Sequence, residues 1–85
     1  MEVELTAKAD ADLMYWQNKK NAKVLKRIRE LLDVMIKTPF TGIGKPELLK
    51  YNLSGKWSRR IDRENRIVYQ VLPDLIIVHS LKGHY

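Results

Sequence analysis

The sequence predicts an α+β domain in which two N-terminal helices pack on one face of a mostly antiparallel sheet, in the order β-α-α-β-β-β. Three observations carry that prediction. Residues 22–37 repeat apolar side chains at the helical period; a Pro/Gly-rich segment then forbids continuation; and the second half alternates apolar and polar residues in short runs divided by turn signals. Eighty-five residues provide for one hydrophobic core, so residues 1–85 read as a single domain.

Val3 to Leu5 reads as a short first strand. Thr6 is then the N-cap of a helix running to about Asn18, with Ala9, Leu13 and Trp16 at i, i+4 and i+7 on one face. The polar "NKKN" joins it to the second helix, where Leu25, Ile28, Leu32 and Met35 form a stripe widened by Val24, Leu31 and Ile36. Lys23, Lys26, Arg27, Glu30, Asp33 and Lys37 make its solvated side. Two prolines and two glycines within Pro39 to Glu47 impose an irregular connection.

Strands follow. "KYNL" reads as a short one, "SG" as a turn, and "KWSRRI" as a strand with Trp57, Arg59 and Ile61 on one face and Lys56, Ser58 and Arg60 on the other. "DREN" connects it, hairpin-fashion, to "RIVYQVL". After Pro73-Asp74, "LIIVHSL" is apolar on both faces and so belongs in the sheet interior.

Hydrophobic and charged contents of 45% and 31% describe a globular chain. With no cysteine, neither disulfides nor thiolate metal sites are available, and two histidines alone fall short of a metal ligand set. The acidic N-terminus lacks the apolar stretch of a signal peptide, and no apolar run approaches the roughly 20 residues that span a membrane. A cytoplasmic, membrane-free protein is expected. The net charge of +6 points to a polyanionic partner. That excess sits late in the chain: residues 1–37 hold eight basic and six acidic side chains, residues 38–85 eight and four.

If the helices cover one sheet face, the other presents Arg60, Arg66 and further basic residues, while the Pro/Gly loop brings Lys45, Glu47 and Lys50 toward it. The last strand delivers His84 and Tyr85. A carboxylate, an imidazole, several cations and aromatic rings are the inventory for cutting RNA without a metal. A carboxylate can take the ribose 2′-hydroxyl proton, and a histidine, with a reference pKa near 6.5, can protonate the leaving 5′-oxygen. An arginine can hold the non-bridging oxygens as charge builds, and an exposed aromatic ring can stack on an unpaired base. Plainer structural readings stand beside these. Glu47 after Pro46 could be a first-turn helix acid, Arg66 half of a cross-strand pair with Asp62 or Glu64, Trp57 a core residue, and His79 a structural histidine.

Taken together, "TPFTGIGKPELLKYNLSGKWSRRIDRENRIVY" and the terminal "HY" resemble the YoeB (Txe/YoeB) family of RelE-like toxins, and "YWQ" at Tyr15 to Gln17 fits that family's first helix. The resemblance implies a RelE-like fold and a ribosome-dependent, metal-independent endoribonuclease that cuts mRNA in the ribosomal A site, with no cofactor. It implies Glu47 of "GKPE" as general base, Arg66 of "RxVY" as the phosphate clamp, His84 as the acid and Tyr85 as a substrate contact. Lys50, Arg60, Lys45, Arg59 and Trp57 would bind RNA. It further implies a cognate YefM-like antitoxin with an acidic C-terminal segment, homodimerisation, and operator DNA binding only as the toxin–antitoxin complex. The contender is a non-catalytic basic RNA- or DNA-binding or antitoxin-partner module of the same fold. A pure binder has no use for a carboxylate facing a phosphate it repels, which favours the enzyme.

Overall fold

The structure, a computed structural model, describes residues 1–83; the expectations placed on His84 and Tyr85 lie outside the described residues. Five strands form one mixed sheet: β1 (Glu2–Leu5), β2 (Glu47–Leu48), β3 (Trp57–Arg60), β4 (Arg66–Leu72) and β5 (Leu75–Ser80), in the order β1-β5-β4-β3-β2. Helices α1 (Ala7–Asn18) and α2 (Ala22–Lys37) pack on one face. β2 through β5 are antiparallel, as expected, but β1 runs parallel to β5. The sheet is therefore mixed, and β5 lies inside it between β1 and β4. No helix among the described residues is long and apolar enough to cross a membrane.

Both helix starts are side-chain capped. Thr6 Oγ1 accepts the Ala9 amide at 3.2 Å and donates to the His79 carbonyl at 3.1 Å, so the cap also fastens α1 to β5. Asn21 Oδ1 accepts the Val24 amide at 3.1 Å. The core stripe of α2 runs Val24, Ile28, Leu31, Met35, one position round from the expected centre, leaving Leu25 and Leu32 half-buried and Ile36 exposed.

Two further differences affect the site. The short strand before β3 is Glu47–Leu48 and not "KYNL", whose Tyr51–Leu53 forms a 3-10 turn. Glu47 is accordingly a strand residue, which removes the helix-acid reading. On α1 the buried positions are Ala9, Asp12 and Trp16, so a carboxylate lies in the helix–sheet interface beside half-buried Leu13.

Asp12 has a definite task there. Its Oδ2 accepts the Leu81 amide at 3.0 Å, the Ser80 hydroxyl at 3.3 Å and the Lys8 ammonium at 2.7 Å. Trp16 Nε1 donates to the Leu81 carbonyl at 2.9 Å, so α1 grips both backbone polar groups of that residue. Gly83 then adopts φ +115°, a backbone that a side chain would strain, while its amide donates to Asn65 Oδ1 and its carbonyl accepts the Arg66 amide, both at 3.0 Å. Residues 80–83 are thus pinned to α1 on one side and to the start of β4 on the other. Asp12→Ala should cost about 1–3 kcal/mol in urea unfolding, because it strands the buried Leu81 amide, whereas Asp12→Asn keeps an acceptor and should cost less. An alanine variant as stable as wild type would show that this anchor contributes nothing.

Candidate active site

The strand register builds the site. Glu47 pairs with Ser58 across β2–β3, and Ser58 with Val68 and Arg60 with Arg66 across β3–β4. Directly opposed residues share a face, so Glu47, Ser58, Arg60 and Arg66 all lie on the face away from the helices. Arg66 Nη1 sits 3.5 Å from Glu47 Oε2. The arginine side chain is 15% exposed and the carboxylate 66%, so an enclosed cation sits beside an acid that solvent can reach. Beneath them Ser58 is fully buried, and its Oγ has no hydrogen-bond partner among the described residues.

Neither Asp62 nor Glu64 is the partner of Arg66. Asp62 Oδ1 is committed to the β3–β4 hairpin, where it accepts the amides of Glu64 at 2.9 Å and Asn65 at 2.7 Å. The carboxylate near Arg66 comes instead from a strand nineteen residues earlier in the chain, brought in by the sheet.

Lys50, which shares a cavity with Glu47, and Arg60, which opposes Arg66 in the sheet, are exposed, as is Lys45 two residues before Glu47. Glu47, Lys50 and Tyr51 line an open cavity of about 330 Å³ along the β2 edge. A larger one, about 600 Å³, lies between α2 and the β3–β4 hairpin; among the described residues, none of the sequence-predicted site residues lines it. Of its two carboxylates, Glu30 and Asp62, the latter is occupied by the hairpin.

Arg59 and Trp57 differ from their RNA-binding expectation. Both are on the helix-side face of β3, where Trp57 is half-buried and packs on Phe40 with ring centroids 5.1 Å apart. Arg59 is 0% exposed. Its Nε donates to Tyr69 Oη at 2.9 Å, Nη1 to the Ile43 carbonyl at 3.1 Å, and Nη2 to the carbonyls of Thr38 at 2.7 Å and Thr41 at 2.9 Å. Tyr69 Oη donates in turn to the Pro39 carbonyl at 2.8 Å. Burial pushes the Tyr69 phenol up, against the opposing pull of Arg59, so it stays a protonated donor. Arg59 therefore organises the loop that leads to Glu47. The loop fits closely: at Gly44, φ +85°, a Cβ would lie 2.8 Å from Leu31 Cδ2 and 3.1 Å from Arg59 Cβ.

His79 is half-buried on β5 with Nε2 3.1 Å from Gln70 Oε1. Burial, and secondarily the charge of Lys56, hold its pKa below the usual 6.5. It is a neutral structural side chain near pH 7, in keeping with its omission from the site.

Comparison with known proteins agrees with this architecture. The model of the YoeB-like toxin of bacterial type II toxin–antitoxin systems matches residues 5–85. Toxin YoeB of Escherichia coli (strain K12) is 47% identical over 74 residues, 87% of each chain. Among solved structures, the YoeB/ParE toxin from Agrobacterium tumefaciens superposes with a TM-score of 0.94 at 37% identity, covering 100% of both chains. Staphylococcus aureus YoeB has been solved as a dimer, at TM-score 0.91, 41% identity and 100% and 98% coverage of this chain and that one. It has also been solved in a heterotetrameric complex with YefM, at TM-score 0.88, 42% identity and 98% and 95% coverage. A family-model match over residues 5–85, 47% identity to a YoeB toxin across most of both chains and superposition on a solved YoeB/ParE toxin along the full length place the chain in the YoeB-like toxin family of bacterial type II toxin–antitoxin systems.

Proposed function

We propose that this toxin is a ribosome-dependent, metal-independent endoribonuclease acting in the cytoplasm, which cleaves mRNA in the ribosomal A site. The observation that carries the proposal is the Arg66 guanidinium 3.5 Å from the Glu47 carboxylate, with exposed Lys50 in the cavity it shares with Glu47 and exposed Arg60 opposite Arg66 in the sheet. Glu47 takes the proton of a ribose 2′-hydroxyl, and that oxygen attacks the adjacent phosphorus. The P–O5′ bond breaks, His84 protonates the leaving oxygen, and the products are a 2′,3′-cyclic phosphate and a 5′-hydroxyl. Arg66 spreads its donors over the non-bridging oxygens, where charge accumulates. Tyr85 contacts the substrate, while Lys45, Lys50 and Arg60 hold the flanking backbone.

The S. aureus complex supports a YefM-like antitoxin as the neutralising partner, its acidic segment drawn to the same cations, and the S. aureus dimer supports self-association. Operator DNA would be bound only by the toxin–antitoxin complex.

Primer extension across mRNA on translating ribosomes tests the proposal. Wild type should cut within the A-site codon, and Glu47→Gln and His84→Ala should each lose about 10²–10⁴-fold, the usual worth of one positioned proton transfer. No cutting by wild type would favour a non-catalytic binder; equal cutting by all three would remove the assigned roles.

A further inference from the structure

Three non-glycine residues have a left-handed backbone among those described: Lys20 at φ +53°, Lys45 at +53° and Tyr51 at +59°. Lys20 belongs to the joint between the helices. The other two bracket β2, the strand that carries Glu47. For an L side chain this conformation is unfavourable, and it persists where the surroundings enforce it, most often beside a working site.

At Tyr51 the enforcement is visible. The Leu53 amide donates to the Lys50 carbonyl at 3.2 Å and the Ser54 amide to the Tyr51 carbonyl at 3.0 Å, closing the 3-10 turn around it. The side chain gains nothing from the fold in return: it is 91% exposed and makes no side-chain hydrogen bond to a described residue. Glycine would relieve the backbone at no cost in packing. What tyrosine adds is a flat aromatic plane, held outward by a strained turn, in the cavity it shares with Glu47 and Lys50.

We propose that Tyr51 is a base-stacking residue, holding an unpaired nucleobase of the RNA strand beside the scissile phosphate while Lys50 takes a neighbouring phosphate. This rests on the endoribonuclease reading. Single-stranded RNA is recognised by stacking splayed bases on aromatic rings, and a ring needs no hydrogen-bonding partner to do so. The adjacent ammonium and the surrounding positive charge suit a nucleic acid strand better than an apolar protein segment. Stacking would fix the nucleotide's position relative to Glu47, so Tyr51 acts in orienting the attacking hydroxyl as well as in affinity.

The test uses Tyr51→Phe, Tyr51→Trp, Tyr51→Ala and Tyr51→Gly in two assays: cleavage on translating ribosomes, and quenching of a single-stranded RNA oligonucleotide carrying 2-aminopurine, the latter in the Glu47→Gln background so that no cutting intervenes. Phe and Trp should retain both activities. Ala and Gly should lose roughly tenfold or more in each, the factor expected of one base stack. The glycine variant should nevertheless melt at the same temperature as wild type or higher, which a merely structural tyrosine would not allow. Ala and Gly variants that cut and quench like wild type, with Glu47→Gln inactive, overturn the stacking role and leave the enzyme reading intact. Quenching that depends on an aromatic residue 51, in a wild type that does not cut, upholds stacking and removes the enzyme. Loss in Phe and Trp as well overturns the proposal, as does a wild type that neither cuts nor quenches.

Discussion

Arg66→Ala should reduce single-turnover mRNA cleavage on ribosomes by about 10²–10³-fold, the usual cost of removing one preorganised charge-stabilising group. It should do so in a protein that still folds. The Arg66 backbone amide, which donates to the Gly83 carbonyl, survives the substitution, and an ion pair whose carboxylate is largely in water is worth about 0–1 kcal/mol. Arg66→Lys retains the charge without the planar fork and should recover only part of the rate. The resting pair also predicts a split between binding and chemistry. In the proposed reaction Arg66 would turn from Glu47 toward a phosphate that Glu47 itself repels. Glu47→Gln removes that competition, so the inactive glutamine variant should bind ribosomes programmed with mRNA at least as tightly as wild type, whereas Arg66→Ala should weaken binding. Combining the two substitutions should cost less than the sum of each, because both groups act at one phosphodiester. Cutting by Arg66→Ala within about threefold of wild type would remove the clamp from the mechanism.

The elements that were legible in the sequence are those whose pattern repeats. The 3.6-residue stripe of α2 and the Thr6 cap are local signals, and both helices appear where they are predicted. β2 was misplaced because two residues carry no period, and the nearest apolar run, "KYNL", became a turn. The parallel β1–β5 pairing has no local signature either, because it joins chain segments more than seventy residues apart. At the site, Glu47 and Arg66 could be nominated by resemblance, but the arginine's partner could not be chosen by proximity in sequence. Asp62 is nearer in the chain yet is consumed by its own hairpin, a competition that only coordinates reveal. Asp12 was illegible for the opposite reason: its spacing from Ala9 and Trp16 puts it on the buried stripe, but nothing near it in the chain shows its partner, a backbone amide at the far end. Arg59 was half legible. Strand alternation put it on the same face as Trp57, away from Arg60, but its charge drew it into the RNA-binding set; tertiary burial decided otherwise.

That adjacent pair of arginines gives the sharpest contrast in stability. Arg59→Ala should destabilise the domain by about 3–5 kcal/mol in urea unfolding, the range for stripping the partner from a buried charged network. It would strand three loop carbonyls and one hydrogen bond of Tyr69, with water able to replace only part of them. Against a typical total of about 5–15 kcal/mol, that is a large fraction of the whole. Arg59→Lys keeps a positive charge, but a single ammonium cannot reach acceptors on Thr38, Thr41, Ile43 and Tyr69 together, so it should remain folded and substantially weakened. Arg60→Ala, one residue on and exposed, should lie within about 0.5 kcal/mol of wild type. The folded lysine variant then links stability to activity. With the loop less firmly held, the amides of residues 40–45 should exchange faster and cleavage should fall, although Glu47 and Arg66 are both unaltered. If Arg59→Ala and Arg60→Ala unfold at the same urea concentration as wild type, the buried guanidinium is not what holds the Glu47 loop.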